Sequence, residues 1–195
     1  RERALVVPGG NAHEAEIVGP HRVLVANSLR GLVESLTGNE PWPEHPADVV
    51  DDGDSIVNDL ADVRGQSAAR LGLELSAAGG HHLLLVGPPG SGKTMLARRL
   101  PGLLPMLDTH TALEVLMIRS AVGESLLRGS QATVPPIRMP HHSASLIAMV
   151  GGGSSSLRPG EVSLAHGGVL FLDELGEFAS ATLDALRQPL EEGVI

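Results

Sequence analysis

The chain has 195 residues, 42% of them apolar, a net charge of −9 and no cysteine. This length and apolar content support one or two domains with real cores and exclude a disordered chain. The missing cysteines exclude disulfides, thiolate metal sites and a cysteine nucleophile, and the excess of acid argues against a generic polyanion binder.

The acidity is uneven: residues 1–62 hold 12 acids and 4 bases, residues 63–195 hold 11 and 10. The later part can therefore still present a local basic surface. Trp42, Phe171 and Phe178 are the only aromatics, too few for a usual base-stacking module. The longest apolar run, Leu146–Val150, has five residues, where a membrane span needs about 20. Arg1-Glu2-Arg3 shows no apolar stretch and no cleavage site of a signal peptide, so a cytoplasmic setting without membrane contact is expected.

Residues 4–7 read as a short buried strand closed by Pro8-Gly9-Gly10. Asn11 can cap a short helix reaching about Val18. Arg22–Ala26 reads as a second strand. Asn27 or Ser28 then caps a helix in which Leu29, Leu32, Val33 and Leu36 share one face and which stops at Gly38. This βαβα order suits a parallel sheet covered by helices. Four elements are few for a domain, so residues 1–44 are expected to be the tail of a larger N-terminal domain. Residues 45–58, within an acidic and proline-bearing stretch, read as a solvated linker.

A second unit is expected over 59–195. Val63–Ala78 reads as a helix ended by Gly79-Gly80, His81–Val86 as a strand, and Gly92–Leu100 as a helix stopped by Pro101. Thr111 and Glu114 have capping-box spacing, with Leu113, Leu116, Met117 and Ala121 on one face behind them. Residues 129–160, rich in Gly, Ser, Pro and His, look like an inserted loop or hairpin region. Val169–Leu172 is a second core strand, and Ala181–Glu191 a last helix bent at Pro189.

The strongest chemical signal is Gly87-Pro88-Pro89-Gly90-Ser91-Gly92-Lys93-Thr94, which fits a phosphate-binding loop between strand and helix. Its glycines let backbone N–H groups turn inward around phosphate oxygens, and the helix start adds partial positive charge. Lys93 is a point charge for the β- and γ-phosphates, and the Thr94 hydroxyl is a Mg²⁺ ligand. Of 14 basic residues, 13 are arginine, and Lys93 is the single lysine. The run Val169–Leu172 ends in Asp173-Glu174, at the strand end where open α/β sheets bind ligands. Asp173 suits Mg²⁺, and Glu174 suits the attacking water. A helix N-cap acid is the plainer reading of that pair taken alone.

The adjacent pairs His81-His82 and His141-His142 read as structural or loop residues, since neighbours on a strand seldom chelate one ion and no cysteine helps. Arg138 and Arg158 flank the 129–160 region; solvent exposure or intersubunit pairing is favoured over contact with DNA phosphates. Met106, Met117, Met139 and Met149 read as packing residues.

Residues 59–195 resemble the magnesium-chelatase-like AAA+ ATPases, in particular the competence-protein ComM family, also called YifB. The matching stretches are Asp62–Gln66, Gly79–Pro101, Pro140–Ser143, Gly151–Gly153, Arg158–His166, Val169–Leu175 and Leu186–Glu191. Residues 1–44 resemble, more loosely, the end of the Lon-protease-like domain that precedes the ATPase in this family. The resemblance implies an α/β P-loop fold with a parallel sheet and flanking helices, ATP and Mg²⁺ as ligands, and a hexameric ring motor that remodels DNA. By position, Gly87–Thr94 is then the Walker A loop and Asp173-Glu174 the Walker B pair. Lys93 and Glu174 become the catalytic residues, Thr94 and Asp173 the metal ligands, and Val63 the start of the adenine pocket. The 129–160 region would face the ring pore or the substrate. Gly176 stands where the family usually shows proline. Sensor, arginine finger and helical lid lie downstream in the family, so the stretch taken alone is expected to be inactive. A magnesium-chelatase motor subunit, whose phosphate loop lacks the Pro-Pro pair, and a non-hydrolysing nucleotide switch are the alternatives.

Overall fold

The computed structural model describes residues 4–17, 22–44, 58–124, 132–153 and 157–192. The chain divides into two compact units, Arg1–Gly53 and Asp54–Ile195. The acidic linker expected over 45–58 lies outside the described residues but for Asn58.

In the first unit, β1 (Ala4–Val7) pairs in parallel with β2 (Arg22–Val25), Leu5 opposite Val23 and Val7 opposite Val25. The crossover holds a single 3₁₀ turn and α1 (Ala12–Ile17). Ala12, Ala15, Val23 and Val25 form the core, with Val7 against it. Asn27 Oδ1 accepts from the Gly9 amide at 2.9 Å and ties the end of β2 to the end of β1. α2 (Leu29–Thr37) begins at Ser28, whose hydroxyl accepts from the Gly31 amide, and ends on left-handed Gly38. Caps and boundaries thus follow the residues that suit them. The expected apolar face does not pack: Leu29, Val33 and Leu36 are 77%, 50% and 65% exposed. Amphipathic spacing makes a face, and no described element of this unit covers it.

In the second unit, a 3₁₀ turn at Leu60–Asp62 precedes α3 (Ser67–Gly79), later and shorter than the helix expected from Val63. Gln66 adopts left-handed φ 50 and starts the helix. Leu60, Val63, Leu73 and Leu96 make one core. Leu96 lies on α4 (Lys93–Ala97), which gives way to a 3₁₀ turn at Leu100–Leu103. α5 (Thr109–Val122) starts one turn before the expected capping box, because Asp108 accepts from the His110 and Thr111 amides and the Thr111 hydroxyl. Its buried residues are Ala112, Val115 and Leu116, while Met117 is 71% exposed. Apolar residues ring this helix, so spacing alone could not choose the face.

β3 (Ile137–Arg138) pairs in parallel with β6 (Val169–Leu170). The Phe171 amide continues the ladder to Arg138 O at 2.9 Å. Between them lie α6 (Leu146–Val150), an antiparallel pair of β4 (Gly151–Gly152) with β5 (Arg158–Pro159), and α7 (Glu161–Leu164). Gly151 needs to be glycine: it has φ 92, and a Cβ there would stand 2.7 Å from Arg158 O. The 129–160 region is therefore not a plain insertion, since it supplies the partner strand of β6. Met149, Phe178 and Leu186 form a second core under these elements. α8 (Ser180–Ala185) and α9 (Arg187–Glu192) replace the single bent helix. The break falls at Leu186, and Pro189 sits in the first turn of α9, where a missing N–H costs little.

His81–Val86 is not a strand. No described segment pairs with it, and Leu84 and Val86 are 71% and 87% exposed. A β-strand exists only through its ladder, so an apolar run without neighbours stays irregular. Of its leucines, Leu85 packs on the Leu60–Leu96 core.

Arg138 binds the end of this unit together. Its Nε and Nη2 donate to Glu161 at 2.7 and 2.9 Å, and Nη1 donates to Glu124 at 2.9 Å. The paired carboxylates raise its basicity, Glu161 contributing most. Arg119 nearby moves the other way, chiefly because burial disfavours its charge. Arg138 is thus committed to carboxylates, in place of the solvent or DNA phosphates considered from sequence; Arg158 is exposed. Among the four methionines read as packing residues, Met149 is fully buried, whereas Met106 and Met117 are open to water.

Two outcomes follow from these contacts. Arg138→Met removes the cation that bridges Glu161 and Glu124 and leaves Arg119 as a charge near Glu124. Bonds to charged groups contribute about 1.5–3 kcal/mol, and partial exposure sets the expected loss near the lower figure. A lower urea midpoint at unchanged slope reads this; an unchanged midpoint contradicts it. Asp108 carries a depressed carboxyl pKa, first through the Thr111 amide and then through the Thr111 hydroxyl. Its cap is therefore fully present above the unfolded value of 3.8 and is lost as pH falls through the lower folded value. Asp108→Asn keeps a cap that does not titrate, so its acid-side loss of stability should be smaller than the parent's. Parallel acid branches for the two proteins would contradict this.

Candidate functional site

The phosphate-loop residues form one exposed turn that runs into α4. Gly87–Gly90 lie open to solvent, and Ser91–Thr94 are half-buried. Gly90 and Gly92 hold φ 75 and 86, a region that side chains with a Cβ disfavour. A Cβ on Gly87 would stand 2.8 Å from Ser91 Oγ, which explains the glycine there. Pro88 and Pro89 withhold two N–H groups and stiffen the turn. The Ser91 amide donates to Pro88 O at 3.2 Å.

Lys93 Nζ donates to Gly87 O at 2.9 Å and to Pro88 O at 3.0 Å. The loop thus wraps around its own ammonium group. Gln66, from the start of α3, reaches across and donates to Ser91 O at 3.2 Å. That contact was not legible in the sequence, although Gln66 closes one of the quoted stretches. Val63 is 3% exposed and packs in the core with Leu60, Leu73 and Leu96. Its carbonyl accepts from Arg70 Nη1 at 3.2 Å. The side chain expected at the adenine pocket therefore faces the interior, and only neighbouring residues such as Gly65, Ser67 and Arg70 line an open hollow.

Thr94 and Asp173 meet. The Thr94 hydroxyl donates to Asp173 Oδ2 at 2.7 Å across 79 positions of sequence. Asp173 follows β6, and the ladder of β6 with β3 brings it to the first turn of α4. The hydroxyl and the half-buried carboxylate are hard oxygen donors, the type that Mg²⁺ takes together with phosphate oxygens and water. Among the described residues no group of three or more His, Asp or Glu is placed to hold a metal ion. His81-His82 and His141-His142 lie in no such group either.

Glu174 comes next. Its amide donates to Asp173 Oδ1 at 3.0 Å, its backbone is left-handed at φ 54, and its side chain is 69% exposed. It lies in no described strand and stands at the N-cap position of a 3₁₀ turn (Leu175–Glu177), but its side chain makes no capping hydrogen bond. The two acids are therefore separated by a turn after the end of β6. His142 Nδ1 lies 3.7 Å from Glu174 Oε2, a neighbour that sequence reasoning missed because it joins segments 32 positions apart. A Cβ on Gly176 meets nothing within 4 Å, so the residue in the family's usual proline position leaves no packing defect.

Comparison with known proteins identifies the family. The family profile described as "Magnesium chelatase, subunit ChlI" matches residues 59–195. The chain is 48% identical over 99% of its length to the uncharacterized protein YifB of Escherichia coli. It is 50% identical over 98% of its length to an uncharacterized protein of Mycobacterium tuberculosis. It is 46% identical over its whole length to the competence protein ComM of Haemophilus influenzae. In each case it spans 38% of the relative. Among the described residues no helix is long and apolar enough to cross a membrane. The profile match over the second unit, with relatives aligned along nearly the whole chain, establishes that this protein belongs to the magnesium-chelatase-like family, with the ComM and YifB proteins.

Proposed function

We propose that the chain carries the nucleotide site of an ATP-hydrolysing AAA+ motor that assembles as a ring in the cytoplasm and remodels DNA. The carrying observation is the Thr94–Asp173 hydrogen bond at 2.7 Å beside a glycine-framed loop around Lys93. It joins the two halves of a phosphate and Mg²⁺ site that sequence places 79 residues apart.

In this reading Gly87, Pro88, Pro89, Gly90, Ser91 and Gly92 form the cradle, in which the prolines shape the turn and the backbone N–H groups for phosphate come from the other residues. Lys93 exchanges its two loop carbonyls for β- and γ-phosphate oxygens. Thr94 and Asp173 would hold Mg²⁺, which when bound neutralises charge developing on the phosphoryl oxygens. Glu174 accepts a proton from the attacking water. The water oxygen bonds to the γ-phosphorus as the bond to the bridging oxygen breaks, giving ADP and phosphate. Val63 marks the start of the adenine side in this reading and contributes through the core that its buried side chain joins. Residues 1–44 are read as the end of a Lon-protease-like domain, 45–58 as the linker, and 59–195 as the first part of the ATPase.

The DNA role is supported by the ComM relative, whose name marks it as a competence protein. The family description supports a second reading, a motor for metal insertion. Stimulation of ATP turnover in the full-length protein by branched DNA favours the first. Stimulation only by a porphyrin-binding partner favours the second.

Two substitutions test the site. Lys93→Ala removes a charge-assisted phosphate contact, so ATP affinity by calorimetry should fall about ten- to a hundredfold; equal affinity would overturn the loop assignment. Glu174→Gln keeps shape and leaves Asp173 in place. ATP should still bind while hydrolysis falls about 10²-fold or more. Turnover at the parental rate would remove Glu174 from the mechanism.

A further inference from the structure

His142 and Glu174 meet on the rim of the nucleotide site, and the way each is held differs. The His142 ring lies against His141 with centroids 4.0 Å apart at a tilt of 37°, and meets Phe178 edge-on at 6.5 Å and 81°. Phe178 is 5% exposed and belongs to the core with Met149 and Leu186. His141 is itself held, with Nδ1 at 2.8 Å from Ser143 Oγ and accepting from the Ser143 amide at 3.3 Å. His142 is thus anchored through ring contacts to a packed core.

Glu174 has an anchored backbone and a loose side chain. Its φ of 54 and ψ of 50 are unusual for a residue with a Cβ, and such a conformation persists only where the surroundings hold it. Here the Asp173 carboxylate takes the Glu174 amide and the Glu177 amide takes the Glu174 carbonyl. The carboxylate is exposed, and its near neighbour is His142 Nδ1 at 3.7 Å. Both side chains open on one hollow lined also by Leu175, Gly176 and Glu177, so water reaches them. Contacts of this kind are often long before substrate binds and tighten when it does.

We propose that His142 is a positioning residue for Glu174. An Nδ1–H takes one carboxylate oxygen and leaves the other free to accept the proton of the attacking water. The strained backbone brings the carboxylate beside His142, and the ring selects its orientation from those a mobile glutamate would sample. This rests on the ATP-hydrolysing reading above and adds the residue that orients its base.

The test uses the full-length protein and its steady-state ATP turnover. Misplacement of a reacting group by about 1 Å can cost on the order of 10²-fold. His142→Ala should therefore lower kcat about ten- to a hundredfold, with KM for ATP and calorimetric affinity within about twofold of the parent. His142→Asn, which returns an N–H near the Nδ1 position, should recover most of the loss. In the Glu174→Gln background, His142→Ala should lower turnover no further. An unchanged or raised kcat in His142→Ala would overturn the proposal. So would a loss in His142→Asn as large as in His142→Ala, or the same fold loss with and without Glu174. Loss of turnover in Glu174→Gln beside an unaffected His142→Ala would sink this inference alone. A parent without turnover would sink the hydrolase reading and this inference together.

Discussion

The Thr94–Asp173 hydrogen bond is the interaction on which the candidate site depends. One partner opens α4, the other follows β6, and at 2.7 Å they close a gap of 79 residues. The loop leading to Thr94 turns through Gly90 and Gly92 at positive φ, and β6, which leads to Asp173, is paired in register with β3. Loop conformation and strand pairing thus meet at this one contact.

Arg138 links that ladder to the helices. It lies on β3, opposite Leu170, and bonds Glu161 at the start of α7 and Glu124 just past the end of α5. With two strands this short, backbone bonds alone define register weakly. A bidentate guanidinium–carboxylate pair adds geometric specificity that a Lys would not supply. The arginine that sequence reading weighed against DNA contact is in the structure a fastener for the sheet that positions Asp173. Net charge statistics cannot reveal this, because the partners come from two other elements.

What was legible in the sequence was local. Ser28 and Gly38 mark α2 because a hydroxyl cap and a left-handed glycine act on their own turn. The phosphate loop was readable for the same reason: its glycines and lysine sit within eight residues. Failures came where a distant partner decides. His81–Val86 has strand composition but no ladder, and Ile137–Arg138 has a ladder but sits in a stretch that reads as loop. The α5 start was missed by one turn because Asp108 collects three donors, which outweighs the Thr111–Glu114 spacing. The contact of His142 with Glu174 carries no sequence signal at all, since adjacent histidines look the same whether they face water, a metal or a carboxylate.

The site is ordered unevenly, and the chemistry explains why. The groups that would face phosphate and Mg²⁺ already hold one another: Lys93 its loop carbonyls, Thr94 the Asp173 carboxylate. These contacts satisfy charge and hydrogen-bonding capacity that would otherwise be open, and in the proposed reading they would be exchanged for ligand contacts. Glu174 has no such stand-in for a water. Its backbone is fixed by Asp173 and its carboxylate stays exposed. Order on the binding side with freedom on the hydrolytic side separates the two steps: nucleotide can be held before the base is in place. In the proposed motor that separation would be useful, because whatever places Glu174, a neighbouring side chain or a neighbouring subunit, would then set when hydrolysis occurs.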